Sequence, residues 1–201
     1  MECKFSMGMA HGRLDSDICA IEAINIIDTL FINLSCTSFG GAIFVDKVFR
    51  LCWIFGTLFE SCHAFNHGGA AYIRGPSEFT LLYDDVKRCG SAWEPCFCFY
   101  GTSTTRFSVD RCIVHQTPRL SQGYYFTWCM CQGERLLMTD SNVTESDLRV
   151  STALDIQVSV DAKLQYLTIA DSSLDNVYLF VGSPNVSVST QNVVNNTRTL
   201  G

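Results

Sequence analysis

An all-β solenoid, wound as a parallel β-helix, is the fold class the sequence predicts, and two observations predict it. The first is a repeat: residues 29–45 read TLFINLSCTSFGGAIFV and residues 57–73 read TLFESCHAFNHGGAAYI. Phe31 and Phe59 stand 28 residues apart, as do Gly40 and Gly68, with no gap between the copies. A period of this size marks units that cannot cover their own apolar face and gain stability by stacking on one another. The second observation is the kind of apolar run inside each unit. AIFV, AAYI and FTLLY are short, rich in β-branched and aromatic residues, and separated by Gly, Pro, Ser and Asn. Such runs read as several short strands per turn and not as a helix pair.

Taken in order, helical spacing holds only over CAIEAINIIDTL, from Cys19 to Leu30, which predicts a short N-terminal helix. Coils are expected from about Ile24 onward. The glycine pairs Gly40–Gly41 and Gly68–Gly69 mark corners, where the backbone turns sharply or takes positive φ. A third unit, VKRCGSAWEPCFCFYG from Val86 to Gly101, keeps Cys89 at 27 residues from Cys62, with Pro95 and Cys96 where the glycines stood. A fourth, FSVDRCIVHQTPRLSQGYYF from Phe107 to Phe126, retains Cys112 and carries an insertion in one corner loop. Beyond Arg135, LRVSTALDIQVSV, LQYLTIADSSLDNVYLFVG and VSVSTQNVVNNTRTLG alternate at period two without glycine pairs or cysteines, and read as later, more polar coils.

The expectation is one domain over residues 1–201, part of a longer protein, with Cys- and Gly-rich coils at 29–131 and polar coils at 135–201. Some six to seven coils at about 4.8 Å each would stack to roughly 30 Å. Vertical neighbours should then be Phe31 with Phe59, Gly41 with Gly69, and Cys62 with Cys89, with Cys36 and Cys112 in the same cysteine column.

Composition narrows the function classes. A formal charge of −6, from 14 Lys+Arg against 20 Asp+Glu, supplies no basic face for nucleic acid or anionic lipid. Apolar residues make up 47% but never run to the roughly 20 a membrane helix needs, and the densest run, LCWIFGTLF, is too short. The N-terminus lacks a basic start followed by an apolar stretch, so no signal peptide is visible. Four sequons, at Asn33, Asn142, Asn185 and Asn195, are candidate glycosylation sites if the chain enters a secretory route. Eleven cysteines, all between Cys3 and Cys131, are odd in number and unevenly spread, unlike a small disulfide scaffold.

The segment FINLSCTSFGGAIFV resembles the repeat of chlamydial polymorphic outer-membrane proteins and of cysteine-rich trichomonad surface proteins. Phe31, Asn33, Gly40, Gly41, Ala42 and Ile43 carry the likeness, and Phe59, Ser61, Gly68, Gly69, Ala70 and Ala71 carry it more loosely. Asn33 stands two residues after Phe31 where the family has three, and Ser61 replaces it in the second copy. The resemblance covers about residues 29–101. It implies a right-handed, pectin-lyase-like β-helix at a cell surface or outside the cell, acting as a non-catalytic, adhesin-like scaffold whose loops contact a host or matrix protein or a glycan. No cofactor is implied. For a chain that stays inside, a cytoplasmic location is the other expectation.

Three chemistries compete with this reading. Cys62, His63 and His67, with Cys96–Cys98 and Cys129–Cys131, invite a zinc reading, but C-x-C in a strand sets both sulfurs on one face, whereas metal sites favour C-x₂₋₄-C. A buried cysteine column is the structural reading, with His63 and His67 as exposed corner residues. A cysteine nucleophile needs a base beside it, and no pair stands out. The rival enzyme class is the pectin lyases and polygalacturonases, for which Asp84, Asp85 and Asp110, beside Lys87, Arg88 or Arg111, would have to converge in a groove. Neither the G-H-G and R-I-K elements of the hydrolases nor the second arginine of the lyases' R-x-P-x-x-R is present, and Asp84 and Asp85 read as a solvated turn. Trp53, Trp93, Tyr124, Tyr125 and Trp128 are candidate sugar-stacking aromatics. A third reading, a degenerate gene fragment, would show as uncovered apolar coil ends.

Overall fold

Alternating inward and outward side chains on long strands, broken by residues with positive φ, build each layer of this chain. The computed structural model describes residues 2–10, 14–15, 22–91, 96–115, 129–145, 147–180 and 185–196. Every strand pairing among them is parallel, and no helix occurs among them. Glu2–Ala10 pairs with Ala23–Ile32, which pairs with Ile43–Phe55, followed by Ala71–Leu82. Phe97–Tyr100 and Arg106–Asp110 form the next layer, then Cys129–Thr139, Asp147–Ala170 and Asn185–Val194. A second, three-stranded sheet stacks Ser35–Cys36, His63–Ala64 and Gly90–Ser91. The fold is the expected parallel β-helix.

Two expectations are corrected here. Ala23–Ile32 is a strand where a helix was expected, because Phe5 pairs with Ile26 on one edge and Cys52 with Ile24 on the other. Pairing on both edges overrides local spacing in an isoleucine-rich segment. From Ala23 onward, successive levels stack in register at Phe31, Phe59, Val86, Val114, Val143, Ile169 and Val193, in keeping with the six to seven coils expected. Asp147–Ala170 is one continuous strand, so segments read as successive coils belong together.

The repeat register holds. Phe31 pairs with Phe59 and Phe59 with Val86, and the first two rings stack with centroids 5.2 Å apart and planes at 8°. Val114, Val143 and Ile169 continue this column into the core. Gly40 and Gly68 both take positive φ, 64° and 68°, which supplies the corner. Their partners are needed for a different reason: a Cβ on Gly41 would lie 2.1 Å from the Gly69 carbonyl oxygen, and one on Gly69 2.3 Å from Gly90. Cys96 stands at the level of Ala70 and not of a glycine, since Phe97 pairs with Ala71 and the third unit is shorter. Pro95 lies outside the described residues.

Two further corners repeat through the stack. Asp28, Gly56, Tyr83, Arg111, Asp140, Tyr166 and Thr190 all have positive φ, as do Asn33, Ser61, Arg88, Glu145, Asp171 and Asn195, with Asn33 five positions after Asp28 as Arg88 is after Tyr83. A left-handed residue other than glycine costs roughly 1–2 kcal/mol. Hydrogen bonds between layers help offset it: Gly56 N–H donates to the Leu82 carbonyl at 3.0 Å, Tyr83 to Asp110 at 3.1 Å, and Arg111 to Thr139 at 3.1 Å.

Candidate functional site

Each left-handed corner pushes the next residue inward, and its side chain must satisfy backbone groups that the turn frees from the strand ladder. Thr29, Thr57, Asp84, Cys112 and Ser141 fill these positions and are all buried. The Thr29 hydroxyl donates to the Ile27 carbonyl at 3.0 Å and the Ser141 hydroxyl to Thr139 at 2.9 Å, each reaching back over the corner residue. The same side chains accept from the preceding coil. Thr57 N–H donates to Asp84 Oδ1 at 2.7 Å, and Cys112 N–H to Ser141 Oγ at 3.3 Å. At the second corner Cys62 N–H donates to Cys89 Sγ at 3.2 Å and Ser172 N–H to Asn196 Oδ1 at 2.9 Å. These interior cysteines stand where a hydroxyl would also serve.

Asp84 is therefore no solvated turn residue. Only 1% exposed, it accepts from Thr57 N–H and, through Oδ2, from Leu82 N–H at 2.9 Å. Burial pushes its carboxyl up to about 7, against the opposing pull of the two N–H donors. Its neighbour Asp85 points the other way and pairs with Lys87 Nζ at 2.8 Å. Asp110 accepts from the Thr139 hydroxyl and lies 3.4 Å from Arg111 Nε. Asp84 lies in the interior, so the three carboxylates do not line one groove together.

Nor do the cysteine and histidine candidates gather about one point. Cys62, Cys89 and Cys112 are buried in the interior; burial drives the Cys89 and Cys112 thiols well above their usual range, and for Cys62 the hydrogen bond with the Cys89 thiol, followed by burial, does the same. Cys36 pairs with Ala64, so Leu34 and not Cys36 stands at the level of Cys62, and Cys112 belongs to the other corner. Cys96 and Cys98 do not share a face: Cys96 packs in the main core, whereas Cys98 packs outward against Tyr72, because the chain bends where it enters Phe97–Tyr100. His63 and His67 are half-buried. His67 stacks on Phe39 at 5.1 Å, and burial lowers the basicity of His63. Among the described residues no group of three or more His, Cys, Asp or Glu is placed to hold a metal ion. The side chain of Cys129 lies outside the described residues.

The outer surface is more distinctive. Beside the first corner, Leu30, Trp53, Tyr83, Ile113, Leu137 and Tyr166 are exposed apolar or aromatic side chains in successive layers. Trp53 points outward because Cys52 and Ile54, on either side, are fully buried. Its ring lies 6.0 Å from Phe55, Phe55 lies edge-on to Tyr83 at 5.7 Å, and the Arg111 guanidinium sits 4.8 Å from the Tyr83 ring centre. A cluster of aromatic rings beside a planar cation can stack flat apolar faces and donate hydrogen bonds. On another flank a shallow cavity of about 520 Å³ is lined by Asp46, Lys47, Arg74, Gly75, Tyr100 and Thr102. Trp93, Tyr124, Tyr125 and Trp128 lie outside the described residues.

Of the sequon asparagines, Asn33, Asn185 and Asn195 are exposed and Asn142 is half-buried. Asn33 and Asn195 are also left-handed corner residues, a conformation asparagine tolerates better than most. Tyr83 and Phe55 escaped the sequence reading, and Arg111 entered it only as a partner for the carboxylates, since nothing in their types distinguishes an outward corner from a core position; only the 27- and 28-residue offsets Gly56–Tyr83–Arg111 carry the signal. Comparison with protein-family models, curated proteins and solved structures finds no match.

Proposed function

We propose that this chain is a non-catalytic, adhesin-like scaffold at a cell surface or outside the cell, and that it offers the flank around Trp53, Phe55, Tyr83 and Arg111 to a glycan. The exposed aromatic stripe carries this reading. Rigid layers hold it in register, and soluble proteins rarely leave such patches open without a partner. The resemblance of the Gly40–Ile43 repeat to polymorphic outer-membrane proteins points the same way. The burial of Asp84 supports a role without catalysis, because it withdraws that carboxyl from the pair that glycoside hydrolysis needs on either side of one bond.

The test is binding of the purified chain to immobilised polysaccharides and matrix proteins, with product analysis of the same polysaccharides. Retention on a glycan, lost in Trp53→Ala/Tyr83→Ala and without cleavage, is the expected result. Retention only on matrix protein would replace the glycan with a protein partner. Cleavage abolished by Asp85→Asn or Asp110→Asn would overturn the reading.

A further inference from the structure

We propose that Cys62 and Cys89 are a disulfide-forming pair that joins two neighbouring coils when the chain folds in the presence of a disulfide oxidant. The pairing rests on register. His63 pairs with Gly90, and Gly90 N–H donates to the Cys62 carbonyl at 3.1 Å, which sets Cys62 and Cys89 at the same level of adjacent layers. Layers about 4.8 Å apart fall inside the 4.4–6.8 Å range over which Cα atoms of cystines are found. Both side chains point into the interior, and Cys62 N–H already donates to Cys89 Sγ at 3.2 Å.

No other cysteine described here faces a cysteine in register. Cys36 faces Ala64, Cys52 faces Ile24 and Phe79, Cys98 faces Tyr72, and Cys131 faces Phe99 and Ile156. Cys112 N–H meets Ser141. Cys96 also reaches Cys89, from only seven residues along the chain, and is the competing partner.

The chemistry is exchange with oxidised glutathione. One cysteine thiolate attacks a glutathione sulfur, breaking its S–S bond, forming a mixed disulfide and releasing one glutathione thiolate. The second cysteine thiolate attacks the protein-side sulfur and releases the other. Two cysteine thiols and one oxidised glutathione become one cystine and two reduced glutathiones, the two protons passing to the released thiolates. Closed layers leave both sulfurs without solvent access. The bond therefore forms while the coils are still open, and closure afterwards shields it from reductant.

The experiment refolds reduced, denatured full-length chain in a glutathione redox buffer or in excess reductant. Each sample is quenched with an alkylating agent, digested and mapped by mass spectrometry. The expected result is a Cys62–Cys89 linked peptide in the oxidised sample alone, two fewer free thiols, and a higher melting midpoint. Complete alkylation of both cysteines after oxidative refolding overturns the proposal, as does a map in which Cys89 is joined to Cys96 or spread over several partners. Cys62→Ser and Cys89→Ser should each lose the linked peptide; if either fails to fold, the wild-type map decides alone.

Discussion

Replacing Asp84 by serine, the residue that Ser141 supplies two layers on, should remove one component of the pH dependence of stability. The Asp84 carboxyl is buried without a cation beside it and is held at about 7, against an ordinary value of 3.8. That difference corresponds to about 4 kcal/mol, at about 1.36 kcal/mol per tenfold change in proton affinity. Because the folded chain holds this proton more tightly than the unfolded chain, the contribution is fully present below about pH 3.8. It is lost as pH rises through about 7 and is constant above that. Other carboxylates add their own slopes, so the difference between wild type and Asp84→Ser is the quantity to read. Urea unfolding at pH 4.5 and pH 8 should show the variant gaining about 3 kcal/mol on wild type across that interval. A difference that stays constant with pH would refute the argument, for it would mean that water or a cation reaches the Asp84 carboxylate.

Other consequences follow from the stacked layers. Phe59→Ala removes a ring packed against Phe31 and, edge-on, Phe97, and should lower stability by about 3–5 kcal/mol in a urea titration at neutral pH. Gly69→Ala would set a methyl group against the Gly90 backbone at 2.3 Å, and a loss at or above the upper end of about 1–3 kcal/mol, or no cooperative melt by circular dichroism, is expected. Gly68→Ala, where φ is 68° and the Ala71 backbone lies close, should also destabilise the chain, by at least about 1 kcal/mol. Trp53→Ala with Tyr83→Ala should leave the melting midpoint within a few degrees of wild type while removing retention on immobilised glycan, since both side chains are substantially exposed.

Much of the fold was legible because stacking copies itself into sequence: Phe31 over Phe59 and Gly41 over Gly69 follow from one offset. The two αL corners were not legible. Asp28, Tyr83, Arg111 and Thr190 share a backbone conformation but no side-chain chemistry. The clue sits one position later, where Thr29, Thr57, Asp84, Cys112 and Ser141 are small or acidic hydrogen-bonding groups at offsets of 27 to 29 residues. Aligning the copies by cysteine and not by offset placed Cys36 in the wrong column. Asp84 was misjudged because an aspartate pair beside a tyrosine looks like a surface turn, and only the inward step after a left-handed residue separates Asp84 from Asp85. The outer stripe was half visible in Trp53. Tyr83 and Arg111 come from later coils and join it only when the layers are laid down.

The corner hydrogen bonds also give the stack a direction. Thr57 finds its acceptor on Asp84, Cys62 on Cys89, Cys112 on Ser141 and Ser172 on Asn196, always on the layer that comes later in the chain. A partly assembled wind therefore carries an unanswered donor at its advancing face, and the next stretch of polypeptide silences it. Duplicating a whole unit would keep every such donor matched, whereas cutting within one would strand it, so growth of the rod by complete periods is the route these contacts tolerate.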